Sequence, residues 1–578
     1  MILTNPFVCL IYGRSIVAIV KGRECSFIKS SHLMTVGILS FIVVVFSLKL
    51  IGLPWSITTL IAYLPAIIWW KQAGQVLQGG KRLLSLNFVL WFAVHLAIGI
   101  SLFDALDGIQ TIWTNNYGDL AYHLGMITSF TLGDNFPPQN HLLAGTTLSY
   151  PFFINLWTAS LWWPSARFYS LHLIFIYQWC FLWVLVYCHL NNSRYPLLPW
   201  AVLFAGGTYF TLGKHSGELI KLGYPWSVFL TTIWIPQRTS ILGLATILSS
   251  LNLFWRYILD REKKSLLPAL KLSAITLALS PLAHSHFFLV TAVVTSAILI
   301  STSPNRFREY AIYFAILAIS LHSLYWIGSK SSIVRLSAGW ITGTHGKLSL
   351  LDVASNSLAM WAASGWQWLI YFITIWCISK RHRVMLVMAC AFIAANILHI
   401  AVWEWDQIKV FACLYVITLS LLSSQSIPKS IILNIALTLM IIPSLFELKS
   451  VLSENRLYKV YAAEDLSIAR EVIANTKKGD ILAAAPVHNS PATLTGRKLF
   501  MGFTGTLFSH GSRYKEREAL YKNLHLILNC HKLYTNPRVC PNYLLWTIHE
   551  ENRWKHIPYS KNLQKTPSPH LYKILHAR

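Results

Sequence analysis

Asp104-Ala-Leu-Asp107, Asn115-Asn-Tyr-Gly118-Asp119-Leu-Ala-Tyr-His123 and Gly133-Asp134-Asn-Phe-Pro137-Pro138-Gln-Asn140-His141 follow one another in a single polar stretch that closes at Tyr150-Pro151. Apolar runs bracket it on both sides. From Leu83 to Ala166 there is no Lys or Arg, although the chain carries 48 of them against 22 Asp and Glu. A basic chain that withholds its cations from one long loop between apolar segments reads as a membrane protein placing that loop away from the cytoplasm. The carboxylates inside the loop are the first candidates for chemistry.

Outward from this loop the same pattern continues. The 578 residues are 54% hydrophobic and 12% charged, where a soluble domain carries roughly 25% charge. Apolar runs of about 17 to 20 residues, each long enough to cross a hydrocarbon layer of roughly 30 Å, recur from Leu33 to Glu447. The expectation is an all-α polytopic membrane bundle of about 12–14 spanning helices over residues 1–447. Residues 448–578 follow as a small extracytoplasmic α/β domain. Arg14, Lys21, Arg23 and Lys29 precede an uncleaved first run at 33–53, which reads as a signal anchor in the inner (plasma) membrane. Lys71, Lys81, Arg82, Arg261, Lys263, Lys264, Arg306, Arg308, Lys380, Arg381 and Arg383 mark the inner side. That count puts the 104–150 loop, the Pro281–His286 turn, the Trp403–Asp406 link and everything after about Glu447 outside. Lys214 and Lys221 fit either side, so 165–260 is left without a topology. In the tail, Glu464–Asn475 and Tyr514–Leu528 have helical periodicity, and Asp480–Ala485 and Tyr543–Ile548 read as strands.

The net charge of +26 is assigned to loops facing anionic lipid. No zinc-finger spacing, basic helix or basic-aromatic RNA motif is present, so membrane lipids and not nucleic acid are the expected partners. P-loop, GxSxG and HExxH signatures are likewise missing. Cys180, Cys188, Cys377, Cys390 and Cys413 lie in or beside apolar runs and read as core residues. Cys530 and Cys540 form a disulfide only if the tail lies in an oxidising compartment, and the sequence leaves that pairing open.

Ionisable groups at a membrane edge are costly to place and are site candidates by default. Those that fall on the outer side are Asp119, His123 and Asp134; His284 and His286; and Glu404 and Asp406; Arg238, in the stretch left without a topology, is a further candidate. Each has a structural alternative. Asp119 fits the N-cap of a helix beginning at Leu120, and Asp134 before Asn135 and Pro137 fits a turn. The histidines fit interfacial hydrogen bonding, and Glu404 and Asp406 flank Trp405 as in an aromatic belt. Arg238, inside an apolar stretch, needs an anion, either a protein carboxylate or a substrate phosphate. The Gly206-Gly207 pair is read as helix packing.

Taken in order, Asp119-Leu-Ala-Tyr122-His123, Gly133-Asp134-Asn-Phe-Pro137-Pro138, Gly145 and Ser149-Tyr150-Pro151-Phe152 resemble the first extracytoplasmic loop of GT-C superfamily glycosyltransferases. These are polytopic enzymes that take sugar from a polyprenyl-phosphate donor, the aminoarabinose and mannosyl transferases among them. The chain is also similar to a less characterised bacterial branch of that group. The similarity runs through Gly118–His123, His284–His286, Trp403–Lys409, His488-Asn489-Ser-Pro491, Thr495-Gly496-Arg497 and Ser509-His510-Gly511. Members often have two adjacent acids where this chain has Asp119-Leu120, and two additional apolar runs precede the loop here. The resemblance implies Asp119 as the catalytic carboxylate, with Arg238, Lys409 or a metal holding the charge of the leaving phosphate; His123, Asp134, His284, His286, Glu404 and Asp406 are the expected substrate-binding groups beside them. The donor would be a polyprenyl-phosphate sugar, and the acceptor a glycan, lipid or protein. A divalent metal (Mg or Mn) is left open. Two rival readings are a transporter or flippase of lipid-linked sugars and a non-enzymatic membrane scaffold. A transporter predicts broken helices around a mid-membrane site and inverted repeats.

Overall fold

The computed structural model describes residues 4–21, 29–68, 85–163, 167–206, 209–212, 219–222, 228–259, 266–302, 306–327, 335–336, 349, 351, 370–374, 382–400, 404–424, 430–454, 456–557 and 560–575. One of the apolar runs between Leu33 and Glu447, at 358–378, lies largely outside them, as do Lys71, Lys81, Arg82, Arg261, Lys263, Lys264, Lys380 and Arg381. Among the described residues, five helices are long and apolar enough to cross a membrane: Ser30–Leu50, Phe168–Leu190, Arg238–Leu259, Ser285–Thr302 and Ile431–Ser453. Leu86–Ser101, Leu267–Ala278, His382–Ile397 and Ile408–Ser423 are shorter apolar helices beside them. Leu289, Val293 and Ile300 are exposed on one face of Ser285–Thr302, and Ile431, Ile432 and Ile435 are exposed at the start of the last long helix. Water-facing helices turn charged residues outward instead.

Arg238–Leu259 is the buried centre, packed by Phe168–Leu190, Leu267–Ala278, Ser285–Thr302 and Ile408–Ser423. An Asn5–Lys21 helix, which the charged N-terminal sequence did not suggest, packs on Ser30–Leu50. A Cβ on Gly13 would stand 1.8 Å from the Leu33 carbonyl oxygen, and one on Gly37 1.6 Å from that of Cys9. Two glycines thus let the backbones touch, as small residues do in membrane helix pairs.

Contacts fix the order of the helix ends, including the part whose course the sequence left open. Phe168–Leu190 begins beside the Leu86–Ser101 exit, where His172 Nε2 lies 3.2 Å from the Ile100 carbonyl. It ends at the opposite pole, where Asn252 donates to the His189 carbonyl (2.8 Å) and His32 meets Ser249 (3.0 Å). The chain returns in pieces: the Leu198–Leu203 helix, an antiparallel hairpin of Tyr209–Leu212 with Leu219–Leu222, and a π turn at Leu230–Trp234. Gly206 lies past that first helix rather than within it, where a Cβ would meet Ser444 Oγ at 2.3 Å; Gly207 is outside the described residues.

The tail forms a five-stranded sheet in the order Leu563–Lys565, Leu571–Ile574, Tyr543–Leu545, Ile481–Ala483, Lys498–Leu499. Ile481–Ala483 runs parallel to both of its neighbours, and the Ala463–Asn475 helix precedes it. The expected Tyr514–Leu528 helix is broken into Lys515–Leu520 and Leu524–Leu528, because Asn523 caps the second piece through its side chain. Cys530 and Cys540 are joined by a disulfide.

Loop and tail form one body. Ile109–Thr111 pairs antiparallel with Tyr458–Tyr461. Ala144 N–H donates to the Leu499 carbonyl, and Leu499 N–H to the His141 carbonyl, both at 2.8 Å. Arg517 donates to the Phe500 (2.6 Å) and Ala144 (2.7 Å) carbonyls across the seam. Gly133 meets Gly496 so closely that a Cβ on Gly133 would lie 2.0 Å from the Gly496 carbonyl oxygen.

Candidate functional site

The Thr114–Thr131 helix carries the first group of the site. It begins five residues before Asp119, so Asp119 is in its second turn and caps nothing. Asn116 fixes the first turn by donating to the Leu102 carbonyl (2.6 Å) and the Thr111 hydroxyl (3.3 Å). Asp119 is crowded by protein on every side, yet part of its surface stays accessible. A Cβ on neighbouring Gly118 would meet nothing within 4 Å. Deep crowding of a residue that is still partly accessible places Asp119 in a recess of the surface, a crevice, rather than in a sealed core. Among the described residues no hydrogen-bond donor reaches the carboxylate. Burial pushes its pKa up to about 7, against the pull of the Lys409 ammonium and with a further push from Asp406.

Asp406 and Lys409 come from the Glu404–Gln407 turn and the helix that follows it. Gln407 anchors that turn, donating to the Ala395 (3.0 Å) and Leu398 (2.6 Å) carbonyls and accepting from Ile400 N–H. Lys409 Nζ and Asp406 Oδ1 form an ion pair at 2.9 Å, with 12% and 26% of the side chains exposed. Burial alone would raise the Asp406 carboxyl, but Lys409, with His286 and His510, holds it below the ordinary value. The Glu404 side chain is outside the described residues.

His286 lies within electrostatic reach of both Asp406 and Lys409. His284 has a local duty: its Nδ1 accepts the Phe287 N–H at 3.2 Å, capping the Ser285–Thr302 helix. Tyr150 and His510 close the group. Their rings are 4.8 Å apart, and His510 is equally close to Tyr122. Tyr122 in turn packs on His141 (5.1 Å) and Tyr150 (5.2 Å). Burial lowers His123 and His141 to about 3 and His510 to about 4. At neutral pH these imidazoles are therefore uncharged hydrogen-bonding groups. The Tyr122 hydroxyl and both His141 ring nitrogens have no partner among the described residues.

Asp119, His284, His286, Asp406 and Lys409 thus share one neighbourhood, with His123 at its edge, 5.9 Å from Tyr150. Two expected members turn elsewhere. Asp134 forms the turn that was its structural alternative, at φ 51°, and pairs at 2.7 Å with Lys49, which is 2% exposed. Lys49 lies over the Trp55 and Phe136 rings, which explains a lysine near the end of an apolar run. Arg238 directs its guanidinium behind the crevice, to Asn155 (3.3 Å), Thr158 (3.1 Å) and Gln178 (2.8 Å). Asn155 also meets His123 Nδ1 at 3.1 Å. Tyr122, His141, Tyr150 and His510 were visible beforehand only as motif members, not as site residues. The signal that could have found them is their density: polar aromatics clustered in a loop and a tail that share a face.

Compared with known proteins, the chain matches no family model, no curated protein and no solved structure.

A metal finds no evident cradle. Among the described residues no three His, Cys, Asp or Glu side chains stand together as ligands, and Asp406 is already engaged by Lys409. The arrangement offers instead one poised carboxyl, one ammonium held by a second carboxylate, and a lining of neutral rings. Such a set can take a proton, hold one negative charge and hydrogen-bond hydroxyl groups.

Proposed function

We propose that the protein is an integral-membrane glycosyltransferase that moves a sugar from a polyprenyl-phosphate donor to an acceptor on the extracytoplasmic side. The observation that carries this reading is the meeting of Asp119, from the loop, with Lys409 and Asp406, from a distant turn, and His510, from the tail, around one crevice. In the reaction an acceptor hydroxyl attacks the anomeric carbon, and its proton passes to the Asp119 carboxylate. The bond from that carbon to the phosphate oxygen breaks, and the electron pair leaves on the lipid phosphate. Lys409 is the cation placed to receive that charge. A base with a pKa near 7 is matched to its task at neutral pH. The disulfide supports an oxidising compartment for the tail, hence the outer face for the crevice and a multi-pass chain in the plasma membrane. The GT-C resemblance supplies the donor class, and the acceptor stays a glycan, lipid or protein.

The deciding experiment compares lipids and glycans from cells carrying wild type, Asp119→Asn or no copy. A product present with wild type and missing from the other two is expected. An Asp119→Asn strain with wild-type product would sink the assignment. Lipid-linked sugar that changes sides of the membrane, with no new glycosidic bond, would point to a flippase.

A further inference from the structure

Arg238 is a cation that the mechanism above does not use. It is 7% exposed, and its hydrogen bonds go to neutral oxygens: Asn155 Oδ1, Thr158 Oγ1 and Gln178 Oε1. The Phe175 ring centroid is 3.3 Å from its Cζ. Among the described residues no carboxylate approaches it. A buried charge without a counter-charge is among the most expensive arrangements a fold can hold.

Beside the guanidinium is a cavity of ≈ 20 Å³ lined by Arg238, Gln178, Trp179, Asn116, Phe175 and aliphatic side chains. Gln178 and Trp179 are 1% and 3% exposed, and Gln178 Nε2 and Trp179 Nε1 have no hydrogen-bond partner among the described residues. Both are donors, and an indole N–H cannot accept. The Gln178 carbonyl oxygen is spent on Arg238 and on Thr158 (2.7 Å). Asn116 spends its amide N–H groups on Leu102 and Thr111, which leaves its Oδ1 as an acceptor. Against that one acceptor the cavity sets the Gln178 and Trp179 donors and a positive charge.

Size and polarity together choose the occupant. The space is narrow and its lining is mostly apolar apart from these few groups, which suits a compact, weakly hydrated anion. A water placed there would have Asn116 Oδ1 to donate to but would leave the guanidinium charge uncompensated. We infer that this cavity binds a compact monovalent anion of the halide class, held by Arg238, Gln178 and Trp179. Through Asn155, which touches both Arg238 and His123, the ion would stiffen the back wall of the crevice. The inference does not depend on the reaction proposed above.

The test uses the full-length protein in detergent or nanodiscs, first in sodium gluconate and then titrated with sodium chloride or bromide at constant ionic strength. Wild type should gain a saturating rise in unfolding midpoint of roughly 2 °C or more. Gln178→Glu builds the negative charge into the protein, so it should lose the halide response while melting no lower than wild type in gluconate. A wild-type midpoint that is equal in gluconate and halide, or an undiminished response in Gln178→Glu, overturns the site. If Gln178→Glu does not fold, anomalous scattering from bromide-soaked wild-type crystals decides. A peak between Arg238 and Gln178 supports the site, and water alone there overturns it.

Discussion

Asp119 has company but, among the described residues, no hydrogen bond, and this separates it from another buried acid, Glu550. Glu550 is also pushed up by burial, yet it accepts from Ala485 N–H (2.6 Å) and Thr547 N–H (2.8 Å) and serves as a capping residue. A carboxyl left without donors is available to take a proton from something else. Asp119→Asn should reduce turnover by about 10²- to 10⁴-fold, the usual worth of a general base. The pH profile should follow. Burial keeps the proton on Asp119 until the pH nears 7, so the active form is lost as pH falls through that value. Below it the rate should drop about tenfold per pH unit. A flat wild-type profile between pH 5 and 8 would remove Asp119 from the chemistry. Linkage has the opposite sign: a folded-state pKa above the unfolded one gives stability at low pH that is lost as pH rises through 7. The asparagine variant should therefore melt no lower than wild type at pH 8. Asp134→Asn provides the contrast. It removes the partner of a nearly buried lysine and should cost about 1–2 kcal/mol in denaturation, with turnover within about threefold of wild type.

Elements explain why these residues meet. The Thr114–Thr131 helix is held at its start by Asn116 and along its side by Thr128, whose hydroxyl lies 3.0 Å from the Thr493 carbonyl of the tail. One turn later, Gly133 and Gly496 are in backbone contact, with Gly496 at φ 73°. Gly133→Ala forces that contact apart and should cost about 1–3 kcal/mol. Hydrogen exchange should rise in 104–150 and 491–502 together. Exchange confined to the loop would mean that loop and tail do not act as one body. The same elements mark where local pattern misled. The helical periodicity of Tyr514–Leu528 was real, but Asn523 accepts the His525 N–H and restarts the helix. Asp119 before Leu120 looked like a cap because caps are local, whereas Asn116 draws its partners, Thr111 and Leu102, from five and fourteen residues back along the chain.

At the scale of the molecule, a bundle of apolar helices carries a mixed-sheet tail on the pole where the crevice opens. The disulfide closes a ten-residue separation within that tail. Replacing both cysteines by serine should lower tail stability by about 2–3 kcal/mol, read by denaturant melting under non-reducing conditions. No loss would mean that the thiols are reduced in the native protein, and the outer placement of the tail would lose its support.

By itself the sequence determined the apolar helices, the cation-free loop and the α/β character of the tail, and it singled out Asp119, His286 and Asp406 while leaving each of them a structural alternative. These are consequences of local composition, where hydrophobic runs and charge are read directly along the chain. Tertiary structure alone decided that Asp134 belongs to Lys49 and that Arg238 faces a donor-lined cavity. It also decided that His510 crosses from the tail to stand against Tyr122 and Tyr150. Pairing energy depends on distance, and distances between residues hundreds of positions apart are set only when the helices pack.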